Sequence, residues 1–141
     1  MVAPRFQQFA LTFSLIHLQK GEIITAVELP APAYTKYVHY LKIRDRTSYA
    51  FALVSVAAAL HIENNIITHA ALAMGGVAHK PWRLKAAESF LEGKAPGESI
   101  FKQATSIAME GAKAYAHNQF KLKLGPNAII QALKTAAGGA S

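Results

Sequence analysis

Residues 22 to 29 read Glu-Ile-Ile-Thr-Ala-Val-Glu-Leu, a short β-branched run that ends at Pro30 and predicts a strand entering the Pro30-Ala-Pro32 turn. A second strand is expected between Tyr34 and Arg46. A period of two places Tyr34, Lys36, Val38, Tyr40, Lys42, Arg44 and Arg46 on one face, and Tyr37, His39, Leu41 and Ile43 on the other. One face is basic and aromatic, the other mostly apolar. Residues 50 to 61 mix alanine with Val and Phe and show neither period cleanly, but the Asn64-Asn65 pair beyond them decides the reading. Paired asparagines tolerate the positive φ angles of a two-residue hairpin loop. About that loop Ile62 faces Ile67, Leu60 faces His69 and Ala58 faces Ala71, and the second arm runs from Ile66 to about Met74 before Gly75-Gly76. In this register His61 and His69 fall on opposite sides of the sheet.

The remainder reads as helix. Pro81 suits a first helical turn, so Arg83 to Glu92 is expected as a short helix closed by Gly93. After the loop from Gly93 to Gly97, Ile100, Ala104, Ile107, Ala108 and Gly111 recur at helical spacing. A last helix is expected from about Gln119, broken at Gly125-Pro126, resuming at Ala128 and ending at Gly138-Gly139. Strands first and helices afterwards describe an α+β domain with helices on one face of an antiparallel sheet of three to four strands. Residues 1 to 20 form an N-terminal segment of unassigned role, and 21 to 141 the domain. The apolar run Phe9 to Leu18 is too short to span a bilayer and no small-residue cleavage site follows it, so a cytoplasmic protein with no membrane role is the default.

At 141 residues, 52% apolar and only 16% charged, the chain has the composition of one folded domain rather than a disordered segment. So few charges on so small a domain leave apolar surface for a partner, and a second copy of the chain is one candidate. The absence of cysteine removes disulfides, thiol catalysis, iron–sulfur ligation and thiolate zinc sites. Fifteen Lys and Arg against eight Asp and Glu give +7, which invites nucleic-acid binding. The positives are spread along the chain, with one concentration at Lys36, Lys42, Arg44 and Arg46, and a solvated basic surface is the plainer reading.

The six histidines lack metal-ligand spacing, no serine sits in a nucleophile elbow, and Gly75-Gly76 matches no phosphate-binding loop. The carboxylates fall where helix starts or solvated turns would place them. Two places carry more. Tyr40 lies between Lys36 and Lys42, an aromatic beside cations that can stack on a flat ring and meet its negative charge. The loop from Gly75 to Arg83 joins glycines, which permit close backbone approach, to Lys80, Trp82 and Arg83.

Several blocks in order carry a resemblance: Gly21 to Pro30, Tyr40 to Ala50, Val54 to Leu60, and Gly75 to Arg83 followed by Ala87-Glu88 and Leu91-Glu92-Gly93. Over residues 21 to about 136 the chain resembles the C-terminal domain of the FAD-binding, or medium, subunit of molybdenum hydroxylases of the xanthine dehydrogenase, aldehyde oxidoreductase and carbon monoxide dehydrogenase group. The resemblance implies an oxidoreductase in which electrons pass from molybdenum through iron–sulfur clusters to FAD and then to an acceptor. It implies as partners an FAD-binding N-terminal domain or subunit and the molybdenum and iron–sulfur subunits. It makes Tyr40 a stacking or gating group at the flavin and Lys42 its electrostatic neighbour. The glycine-rich segments that hold FAD in the family are missing, so no FAD is expected on this chain alone, nor catalysis by it. Two alternatives stand beside this reading: a non-enzymatic dimerisation module that keeps the fold, and, ranked below it, single-stranded nucleic-acid binding through the Tyr34 to Arg46 face.

Overall fold

The computed structural model describes residues 20–138. The chain falls into two units, residues 1–31 and 32–141. In the first, residues 20–31 form neither helix nor strand, and Ile23, Ile24, Val27 and Leu29 are exposed. The strand expected over 22–29 is therefore absent. A β-branched run becomes a strand only when a neighbour completes its hydrogen-bond ladder, and no described segment pairs with this one. The apolar run Phe9 to Leu18 lies outside the described residues.

The second unit carries four strands, β1 (Val38–Ile43), β2 (Val54–Glu63), β3 (Ile66–Gly75) and β4 (Trp82–Arg83), then three helices, α1 (Lys85–Leu91), α2 (Glu98–Ala108) and α3 (Lys121–Ala136). The strands form one antiparallel sheet in the order β1-β2-β3-β4. The α+β class and the helices on one face of the sheet are as expected, but the fourth strand is Trp82–Arg83 and not the run at 22–29. Pro81 accordingly precedes a strand, and α1 begins only at Lys85.

Asn64 and Asn65 both take positive φ, 49° and 61°, and close the β2–β3 hairpin as their chemistry requires. Ile62 pairs with Ile67 as expected. One step further the register shifts, because Thr68 is an extra residue on β3. Leu60 therefore pairs with Ala70 rather than His69, Ala58 with Leu72 rather than Ala71, and His61 with His69. The two histidines share a face, against expectation, with nearly parallel rings 6.5 Å apart. The bulge has a packing cause. Ile67, Ala70, Leu72 and Met74 are all buried although the first differs in parity from the rest, and only an inserted residue turns them to one side. The Thr68 hydroxyl lies within hydrogen-bond distance of both the His61 carbonyl and its Nδ1.

The core lies between the sheet and the helices. Val54, Val56, Ala58 and Leu60 alternate inward from β2, and Ala87 and Leu91 of α1, Phe101 and Ala104 of α2, and Ile129 and Leu133 of α3 close over them. In α2 the buried line runs through Phe101, Ala104 and Thr105, with Ile100 and Ile107 at its margins and Gly111 beyond the helix end. The break expected at Gly125-Pro126 does not occur, and α3 is continuous from Lys121 to Ala136. Pro126 sits in the second turn, where its missing N–H deprives only the Leu122 carbonyl, in a part of the helix open to water. Gly125 is buried, and a Cβ there would lie 3.3 Å from the Met74 methyl and 3.6 Å from that of Met109. The glycine lets the helix approach the sheet.

Gly76 has φ +75°, and a Cβ on it would lie 2.8 Å from the Leu53 carbonyl oxygen. The close backbone approach read from Gly75-Gly76 is thus made to the start of β2. Gly76→Ala combines a left-handed backbone with a backbone clash and should cost at least about 1–2 kcal/mol in urea unfolding. Glu98 joins two helices through Lys102 at 2.7 Å and Lys134 at 3.2 Å. The hydrogen bonds from Lys102 first and Lys134 second hold its carboxyl below the usual glutamate range. Such a group stabilises the fold above its unfolded-state pKa, near 4.3, and loses that contribution as pH falls through its lower folded value. The thermal midpoint of Glu98→Gln should therefore fall slightly below that of the parent at neutral pH and converge with it in acid.

Candidate functional site

Alternation along β1 sends His39, Leu41 and Ile43 toward the helices and leaves Val38, Tyr40 and Lys42 on the opposite face. Tyr40 pairs with Ala57, and Ala57 in turn with Ala73; Val38 pairs with Ala59, and Ala59 with Ala71. The face that carries Tyr40 therefore has a floor of small side chains. Tyr40 is 62% exposed, and among the described residues no carboxylate lies within 4.0 Å of Lys42. A phenol ring and a free ammonium over an alanine floor offer a flat surface with positive charge at its rim. Tyr40 and Lys42 thus share one face, as the sequence predicts. The cationic stretch continues through Arg44 and Arg46 into the β1–β2 connection, where Arg46 donates to the Tyr49 carbonyl at 2.9 Å. The same connection holds Tyr49 and Phe51 almost fully exposed.

The second candidate, the loop from Gly75 to Arg83, divides by role. Arg83 is structural: its Nε and one terminal nitrogen each donate to Glu88, both at 2.8 Å. Glu88 is buried, and its Oε1 also accepts the Leu72 backbone N–H at 2.6 Å. The Glu88 hydrogen bond raises the Arg83 guanidinium above its ordinary pKa, partial burial opposes this, and the Glu88 charge adds to the rise. Lys80 is exposed, and Trp82 lines a cleft of about 270 Å³.

Sequence reasoning missed both Glu88 and that cleft. Its position in the sequence suggests a carboxylate of a helix start or solvated turn, yet Glu88 shares a helical stripe with Leu84, Ala87 and Leu91. An acid on an apolar stripe with an arginine five residues before it is the signal that could have found the pair. Two of the cleft's walls lie far apart in sequence, at Gly76 to Leu84 and Ala108 to Leu122, and no local pattern joins them. Among the described residues no cluster of three metal-ligating side chains exists, and no helix is long and apolar enough to cross a membrane.

Residues 39–136 match the family described as the CO dehydrogenase flavoprotein C-terminal domain. The chain belongs to this family. It is 41% identical over 121 residues to the aldehyde oxidoreductase FAD-binding subunit PaoB of Escherichia coli, a match covering 84% of this chain and 34% of that protein. It is 36% identical over 87 residues to the glyceraldehyde dehydrogenase medium chain of Sulfolobus acidocaldarius, covering 62% of this chain and 30% of that one. The chain thus spans about a third of the length of these curated relatives. Among solved structures, quinoline 2-oxidoreductase of Pseudomonas putida 86 superposes with a TM-score of 0.68 at 26% identity, over 79% of this chain and 40% of that one. Carbon monoxide dehydrogenase of Hydrogenophaga pseudoflava, in a form lacking the Mo-pyranopterin moiety, shares the fold with a TM-score of 0.65 at 22% identity, over 74% and 37% of the two chains. The family is that of C-terminal domains of FAD-binding subunits in molybdenum-hydroxylase-type oxidoreductases, as the resemblance in the sequence implies.

The Arg83–Glu88 pair places this flavoprotein-type domain under a testable constraint. Glu88→Ala leaves the Leu72 N–H without its acceptor and should cost about 2–4 kcal/mol in urea unfolding. Glu88→Gln keeps an oxygen for that N–H and should cost less.

Proposed function

We propose that this chain serves as the part of an FAD-dependent oxidoreductase that covers one edge of the flavin, with the face of Tyr40 and Lys42 turned toward the isoalloxazine. The observation that carries the reading is that face itself. An exposed aromatic and an uncompensated ammonium stand over small side chains in a chain whose relative is an FAD-binding subunit. The residues fit a ring edge and do not fit a whole dinucleotide. The sequence holds no glycine-rich phosphate loop to take the pyrophosphate. The phosphates of FAD therefore belong to another domain.

In this role the flavin supplies the electron transfer, and the chain supplies cover and charge. The Tyr40 ring excludes water from one side of the site. Lys42 holds a positive charge beside it and favours negative charge that develops there. The flavin-binding domain, and beyond it iron–sulfur and molybdenum subunits, are the partners this role requires.

The test mixes the chain with FAD, with and without a flavin-binding domain taken from a relative. The chain alone should give no stoichiometric yellow complex. With the flavin domain, flavin fluorescence should be quenched, Tyr40→Ala should restore most of it, and Lys42→Gln should weaken the complex about tenfold or less. Tight FAD binding by the chain alone, or quenching indifferent to Tyr40, would overturn the reading.

A further inference from the structure

The cleft beside Trp82 lies on the other side of the sheet from Tyr40. Trp82 pairs with Met74, whose side chain is buried among the helices, whereas Tyr40 pairs with Ala57 on the open face. The two places also occupy opposite edges of the sheet, β4 and β1. Met74, Leu84, Ala108, Met109 and Leu122 line the cleft with apolar groups, and Trp82, 51% exposed, contributes an indole. Lys113 and Lys121 also line it. The Lys121 ammonium donates to the Gly76 carbonyl at 2.5 Å. Among the described residues no carboxylate lies within 4.0 Å of either lysine. Glu110 is the one carboxylate on the lining against these two cations, so the cleft keeps a positive balance.

We propose that this cleft binds a small aromatic carboxylate. The volume of about 270 Å³ lies just under the usual range for ligand pockets, roughly 300 Å³ upward, which limits the guest to one or two rings. The indole and the two methionine side chains favour a flat, polarisable body over an aliphatic one. The uncompensated ammonium groups ask for a full negative charge rather than a neutral polar group, because a hydrogen bond between charged partners is roughly twice as strong as a neutral one. The inference stands apart from the flavin reading and uses none of its residues.

Trp82 is the only tryptophan of the chain, so tryptophan fluorescence reports on binding beside it, and chemical shifts separate the cleft from the neighbouring hollow against α1 that Trp82 also lines. Titration with benzoate should change that fluorescence saturably, and amide chemical shifts should move at Gly111, Ala112 and Asn118 rather than around Tyr40. Benzyl alcohol, with the ring but no charge, and acetate, with the charge but no ring, should each bind about tenfold or more weakly. The double variant Lys113→Gln, Lys121→Gln should lose a similar factor for benzoate, while Lys102→Gln on the exposed side of α2 leaves it unchanged. Absence of saturation, equal binding of benzyl alcohol, shifts centred on Tyr40, or a double variant that binds as the parent does would each overturn the proposal. A cleft that seats a polypeptide segment instead would give the first of these results.

Discussion

The outer edge of β3 is the constraint on which the unit rests. A ten-residue strand presents a row of N–H and C=O groups, and only two of its residues pair with β4. At Leu72 and Ile67 the edge is closed by other means. Leu84 donates to the Leu72 carbonyl, the Glu88 carboxylate accepts the Leu72 N–H, and the Gly93–Lys94 turn exchanges hydrogen bonds with both backbone groups of Ile67. Each closure comes from α1 or a residue beside it, so the helix is fixed by the same bonds that protect the strand. Without Glu88 the edge would hold an unpaired amide at the centre of the core, where its desolvation is most costly.

With one face and one edge of the sheet committed to α1, α2 and α3, what remains open is the opposite face. Its residues are small because β2 and β3 supply alanine there at 57, 59, 71 and 73. Alanine in mid-strand contributes little cross-strand packing, so it is a poor choice for strand stability alone. An uninterrupted small-residue floor makes sense where another body must lie flat against the sheet, and Tyr40 and Lys42 rise from that floor. The division follows from alternation: Leu41 and Ile43 of β1 pack toward the core, and Tyr40 and Lys42 stay at the surface.

How much of this was legible depended on whether the cause was local. Asn64-Asn65 gave the hairpin because φ is a property of the residue, and alternation placed Tyr40 and Lys42 on one face because the strand repeat is geometric. The run at 22–29 misled because ladder formation needs a second strand that no local pattern supplies. The register beyond His61 failed for a subtler reason. Parity counting assumes a regular ladder, whereas the burial of both Ile67 and Ala70 demands one extra residue between them. That spacing was present in the sequence and could have revealed the bulge. Pro126 does not break α3, since a proline in the second turn costs one hydrogen bond to a carbonyl that water can reach.

The pairing of Arg83 with Glu88 shows why function and stability are hard to separate in a segment such as Gly75 to Arg83. Glycines, a tryptophan and two cations in one short stretch read as a binding loop, yet each residue answers to a different demand. Gly76 answers to the backbone of β2, Arg83 to a buried acid, and Trp82 to the cleft against Met74. Only the last leaves a polar and apolar surface unsatisfied. A residue whose strong interactions are already made within the fold has little left to offer a ligand, because binding would first have to break them. By that criterion Arg83 is excluded from recognition by its two short bonds to Glu88, whereas Lys42, Lys113, Trp82 and the two ammonium donors that Lys121 does not spend on the Gly76 carbonyl are among the groups of this unit with chemistry left for a ligand.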